Sequence, residues 1–173
     1  MSGRNFKNIE SLDSVRRVIN DANEALNNDN RTISDSPISE VLSGALGAGA
    51  GGAISFAALW NLGIAGLSGP GIMTGLATAG GLIGGGAAAG VMVLAAPVAL
   101  LAGVGVAIAK NKKMKRLREE ISSLYTEAVR VQNAIIEKLK NKVNMNEERI
   151  KYLTSLNALL QAAIRDLAHD RNL

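Results

Sequence analysis

Residues 41–109 run for 69 positions without an Asp, Glu, Lys, Arg or His, and 18 of the chain's 19 glycines fall inside that window. A helix on the surface of a globular protein keeps a polar face, so so long a stretch without charge is hard to place in water. It makes a poor soluble core as well. The aromatic residues are Phe6, Phe56, Trp60, Tyr125 and Tyr152, and bulky rings supply much of the buried area of such cores. The window reads as membrane-embedded. It divides an all-α chain into three parts: residues 1–36, an N-terminal amphipathic helix and polar linker; residues 37–109, a glycine-rich transmembrane hairpin; and residues 110–173, a basic antiparallel helical hairpin or coiled coil.

Inside the window, GIAGLSGPG at 63–71 concentrates glycine around one proline and is the best turn. It leaves a first segment, 41–62, that fits one crossing of about 20 residues. The second segment, 72–109, is long for one crossing and short for two. A break near Gly84, Gly85 and Gly86 would leave 87–109 as the strongest span, kinked at Pro97. Residues 72–86 would then be a re-entrant or interfacial helix, or an extension of that span.

Leucine would partition into lipid better than glycine, so the glycines serve something else. Each costs about 1 kcal/mol against alanine in a helix interior in water. Their spacing is the explanation. Ser43, Gly47, Gly51 and Ser55 recur every four residues, as do Ala77, Gly81, Gly85 and Ala89, then Gly80, Gly84 and Ala88, and the pair Gly86 and Gly90. Such rows set small residues along one helix face and let backbones approach closely, which is how helices associate in lipid. The pattern resembles glycine-zipper membrane proteins. The order of a helix, an uncharged hairpin and a basic helical hairpin also resembles α-helical pore-forming toxins and membrane-inserting proteins of the apolipoprotein-L type. The resemblance covers about 70 residues and is compositional, with no family signature from which functional residues carry over. It implies insertion of the hairpin, self-association and permeabilisation or remodelling of a bilayer.

The flanks carry helical periodicity. Ile9, Leu12, Val15, Ile19, Ala22 and Leu26 predict an amphipathic helix over 5–26. NNDNRTISDSP at 27–37 is a linker, and Ser36 before Pro37 predicts the start of the next helix. After the window, Met114, Leu117, Ile121, Leu124, Ala128, Val131 and Ile135 step alternately by three and four, a coiled-coil seam. Asn144 with Glu147 predicts a capping box. The last helix runs to about His169, with Ile150, Leu153, Leu156, Leu160, Ala163, Ile164 and Leu167 on one side.

Charge is distributed unevenly. Residues 1–40 hold five Lys and Arg against seven Asp and Glu, and residues 110–173 hold fourteen against eight. The junction is the densest point: Lys110, Lys112, Lys113, Lys115, Arg116 and Arg118. A basic flank marks the cytoplasmic side of a span and favours anionic headgroups. This places the C-terminal region, and with an even number of crossings the N-terminus, in the cytoplasm. Nucleic acid is the weaker partner, since no aromatic residue is interleaved with the cations. Residues 111–169 could instead recruit a protein, with the hairpin only an anchor.

No catalytic, cofactor or metal site is expected. The chain has no cysteine, hence no thiol nucleophile and no Cys-ligated zinc. No secretory signal is visible in the first 30 residues. Arg165-Asp-Leu-Ala-His169 resembles a contracted Arg…His motif of the HEPN ribonucleases. A lone His near a helix end reads rather as a cation facing the helix dipole. Asp166 and Asp170, four apart, offer two ligands without a third. Glu119–Glu120 and Glu147–Glu148 are adjacent pairs that diverge on a helix and belong to a solvated face.

Overall fold

The computed structural model describes residues 3–47, 55–64, 112–141 and 145–173. Its helices are α1 (Asp13–Asn27), α2 (Ser39–Gly47), α3 (Phe56–Ile64), α4 (Lys112–Lys140) and α5 (Glu147–Arg171), with 3-10 turns at Glu10–Leu12 and Ile33–Asp35. The chain is all-α, and among the described residues there is no strand and no helix long and apolar enough to cross a membrane.

Side-chain pairs fix the topology. α4 and α5 are antiparallel: the Arg118 Nη2 donates to the Leu173 carbonyl at 2.8 Å, and the Gln132 amide donates to Asn157 Oδ1 at 3.2 Å. α1 runs parallel to α4. Arg16 reaches Glu120 at 2.6 Å, Arg130 reaches Asn23 at 3.4 Å, and Lys138 pairs with Asp29 just past the end of α1. These three helices form a bundle, and α2 and α3, in contact with one another, lie against α5.

The first helix starts later than its periodicity predicts, at Glu10 and not Asn5. Residues 5 and 6 are non-helical, and their N–H groups donate to Asp170 (2.8 and 2.6 Å). At the linker the helix starts later than expected, at Ser39, although Ser36 accepts an N–H of the turn before it. The Ser36 Oγ accepts the Ile38 N–H at 3.1 Å and donates to the buried Asp21 at 2.7 Å. Asp21 also receives the Arg31 guanidinium at 2.8 Å, so its burial on α1 is compensated twice.

Residues 41–62 are not one span. They contribute to two separate nine-residue helices that touch each other. A carboxylate on α5 caps the second helix. Ser43 and Gly47 share α2, whereas Ser55 is non-helical, so Ser43, Gly47, Gly51 and Ser55 do not line one helix. Gly51, the turn beyond Ile64 and the whole of 72–109, with its glycine rows, the triplet at 84–86 and Pro97, lie outside the described residues.

The seam of α4 is buried: Leu117, Ile121, Leu124, Ala128, Val131 and Ile135. The buried face is wider than a seam, taking in Tyr125, Val129, Gln132, Ile136 and Leu139, because α4 meets both α1 and α5. A stripe of that width belongs to a globular bundle rather than to a two-stranded coiled coil. α5 departs further from expectation. Its N-cap is Asn146, whose side chain accepts the Arg149 N–H at 2.8 Å. The expected cap, Asn144, lies outside the described residues. Nor is α5 one-sided: residues 152–160 are all buried, since α1, α2, α3 and α4 surround it. Thr154 and Ser155 tolerate this by donating to the Ile150 and Lys151 carbonyls at 2.7 and 2.9 Å. The helix reaches Arg171. Described parts from the N-terminal region, the window and the C-terminal region all contribute to one hydrophobic cluster.

Candidate functional site at the basic end of the bundle

The C-terminal end of α5 and the N-terminal end of α4 form one end of the bundle, and two carboxylates on α5 organise it. Asp170 has no exposed side-chain surface. Its Oδ2 accepts the Phe6 N–H at 2.6 Å, and its Oδ1 accepts the Asn5 N–H at 2.8 Å and the Asn5 side-chain amide at 3.1 Å. The N-terminal arm is thereby clamped to the last turn of α5, with Phe6 buried. One turn earlier, Asp166 accepts the N–H of Phe56, the first residue of α3, at 2.8 Å. This is the interaction an N-terminal cap provides, supplied here by another helix. Burial pushes the Asp166 carboxyl above the usual carboxylate range, and neighbouring Asp170 adds to the rise, while the Phe56 N–H and Arg165 oppose it.

These roles replace the sequence-based readings of the same residues. Asp166 and Asp170 direct oxygens at backbone N–H groups, and among the described residues no cluster could hold a metal ion. His169 Nδ1 lies 3.0 Å from Asp170 Oδ1 and 3.3 Å from the Asn5 amide nitrogen. It belongs to the clamp rather than facing the helix dipole alone. Glu120 is likewise more than a solvated charge, pairing with Arg16 across α1 and α4 and raising the pKa of that guanidinium. Glu147 and Glu148 keep their solvated positions and face Lys151 at 2.9 and 3.5 Å.

Around the clamp are the junction cations. Lys112, Lys113, Lys115 and Arg116 are exposed, Arg118 is half-buried, and Lys110 lies outside the described residues. The arm delivers Lys7 to this end. Lys7, Asn8, Ile9 and Glu10 face Lys113, Met114, Arg116 and Leu117 across a groove of about 510 Å³. The Arg4 guanidinium contacts the Met114 sulfur beside it. Among the described residues the exposed large hydrophobic side chains are Ile9, 40% exposed, and Leu173, 44% exposed. Both are here, since Ile9 lines the groove and the Leu173 carbonyl meets Arg118.

The opposite end is fastened differently. Arg149, 3% exposed, donates to the Ala25 carbonyl in the last turn of α1 and to the Arg31 carbonyl at 2.8 Å. At Ala25 it serves a carbonyl that a helix end leaves without a partner and puts a cation where the dipole favours one. Burial lowers its pKa, with Asp29 and Tyr152 opposing. Arg31 also donates to the Tyr152 hydroxyl at 3.0 Å. Burial raises the pKa of that hydroxyl, so it stays neutral.

The helix-packing glycines expected at 80, 81, 84, 85, 86 and 90 lie outside the described residues, as does Gly51. Lys7, Asp166, Asp170 and Arg149 carry this geometry without having been singled out for it. No periodicity marks them, because each acts on a segment far away in sequence. Ile9 belongs by periodicity to the apolar stripe of the first helix, but it precedes that helix and is 40% exposed. No known protein family, curated protein sequence or solved structure matches the chain.

Proposed function

We propose that the chain is an oligomeric membrane-inserting protein. Its helical bundle rests on the cytoplasmic face of an anionic membrane and delivers the uncharged residues 65–109 into the bilayer, which is permeabilised or remodelled. The supporting observation is the composition of one end of the bundle. The junction cations, the start of α3, the start of α4 and both exposed hydrophobic side chains gather there. Cations at the cytoplasmic face gain about 1 kcal/mol each near an anionic leaflet, and exposed apolar side chains beside them suit the headgroup boundary.

Chain length supports the same reading. Ile64 and Lys112 end helices that belong to one body, so the segment joining them returns to the side it left. Residues 65–109 number 45, enough for two crossings of about 20 residues and a short turn. Within that stretch the small-residue rows through Gly81 and Gly85, and through Gly80 and Gly84, supply faces for association between copies.

The test is dye release from anionic liposomes combined with mass in detergent. Gly81→Leu with Gly85→Leu should abolish release and reduce the assembly to smaller species. Release and mass unchanged by the glycine substitutions would instead favour a membrane-anchored scaffold that recruits a protein through 111–169. A strict monomer that leaves liposomes intact would remove the proposal. In the scaffold case recruitment would use the outer surface, because the seam residues Leu124 and Val131 are occupied within the bundle.

A further inference from the structure

We infer that the groove between the N-terminal arm and α4 is a binding site for the headgroup of an anionic phospholipid. Lys7, Lys113 and Arg116 hold its phosphate, and Ile9 and Met114 meet the start of its acyl chains. The inference rests on the membrane reading above and adds to it a defined pocket in place of a diffuse basic surface.

The groove has the chemistry of an amphiphile. Three cationic side chains and one carboxylate, Glu10, line it, so its lining favours an anion. Arginine binds phosphate oxygens through two parallel N–H donors, and lysine adds a compact charge with three more. A free phosphate ion would be served by those groups alone. It would gain nothing from a floor containing Met114, or from Ile9 standing 40% exposed at the rim. A phospholipid uses both parts.

The two walls come from segments more than 100 residues apart in the sequence. Lys7 is brought to α4 because Asp170 clamps Asn5 and Phe6, the two residues before it. Lys113 and Arg116 are three apart on α4 and share a side of the helix. Lys112 and Lys115 are not among the groove's lining residues. The structure therefore separates cations that should bind one lipid from cations of equal charge that should not. Binding by general electrostatics would treat both groups alike.

The experiment uses the full chain in neutral detergent, titrated with dioctanoyl phosphatidylglycerol and followed by native mass spectrometry. Wild type should take up one lipid saturably, and dioctanoyl phosphatidylcholine should bind much more weakly. Lys7→Gln with Arg116→Gln should weaken the first lipid about tenfold or more, while Lys112→Gln with Lys115→Gln changes it by less than about twofold. Glu10→Gln should tighten it, a gain that a misfolded variant could not imitate. Equal weakening by the two double variants would overturn the inference, as would the absence of a first saturable lipid. Saturable binding of inorganic phosphate as tight as that of the lipid would assign the groove to a soluble anion and overturn it too. Liposome dye release reports separately on insertion. Lipid uptake without release would retain the groove and remove the membrane-permeabilising reading, and release without uptake would do the reverse.

Discussion

Replacing Asp170 by alanine should detach the N-terminal arm without unfolding the bundle, and the sizes of the competing terms say why. If the arm stayed in place, the N–H groups of Asn5 and Phe6, now bonded at 2.8 and 2.6 Å, would lose their acceptor. A buried donor left unsatisfied costs about 1–3 kcal/mol, so the pair would cost about 2–6 kcal/mol. If the arm leaves instead, those groups return to water and the loss is the burial of Phe6, about 2–3 kcal/mol. Recovered backbone freedom of about 1 kcal/mol per released residue offsets part of that. Detachment is the cheaper route and holds the net destabilisation below the Phe6 term, at most about 2–3 kcal/mol. For a chain of this length that lowers Tm by at most roughly 12 °C. Hydrogen-exchange mass spectrometry of the full chain should show residues 5–8 losing protection, with cleavage after Lys7 accelerated, while α4 and α5 are unchanged. Asp170→Asn offers one acceptor oxygen in place of two and should lie between. An arm still protected in the alanine variant, or α5 unfolding together with it, would refute this reasoning.

Three further outcomes follow from the packing. Burial raises the Asp166 pKa above its unfolded value, so the folded state binds the proton more tightly; this stabilisation is full below about pH 4, the unfolded carboxyl's range, and is lost as pH rises through the folded value. Asp166→Asn cannot ionise yet keeps an acceptor for Phe56, so denaturant midpoints should show wild type losing ground to the variant between pH 4 and pH 7, and a pH-independent difference would contradict it. Arg149→Met removes the donors to the Ala25 and Arg31 carbonyls but leaves Asp29 in water at 78% exposure. The expected cost is about 1–3 kcal/mol, with exchange protection lost first at the end of α1. Leu156→Ala, at a fully buried position on the central helix, should cost about 2–5 kcal/mol by chemical denaturation, and a cost below 1 kcal/mol would place α5 at the surface.

The helical class and the seam of α4 were legible because burial on one face imposes periodicity, and Leu117 through Ile135 display it. α5 was misread for the same reason. A helix packed on every side has no polar face to reveal its orientation, and Thr154, Ser155 and Asn157 look solvent-facing until their partners are known. The division of residues 41–62 was obscured because the group that begins the second helix, Asp166, stands 110 residues later. The basic junction could be read from composition, whereas its pocket could not. Lys7 and Arg116 are 109 residues apart in sequence, and the clamp at Asp170 helps to bring them to one groove.

The interactions that attach α2 and α3 to the bundle also bear on how much of the uncharged window can enter lipid. Apolar composition alone would admit all of residues 41–109. Phe56, Leu42 and Leu59 could exchange a protein neighbour for hydrocarbon at little cost, since both environments remove them from water. What they would leave behind differs. The face of α5 now covered by the two helices would meet water, and Asp166 would lose the backbone donor that its buried carboxylate uses. Under the membrane reading residues 65–109 insert while α2 and α3 stay docked. The crossings implied are then two, and the three-crossing alternative allowed by residues 41–109 requires the α2–α3 pair to be pulled from α5. Labelling at a cysteine introduced at Leu59 distinguishes them: protection from an aqueous reagent should persist in liposomes and be lost when Asp166→Ala loosens the pair, whereas protection insensitive to that substitution would place Leu59 in lipid.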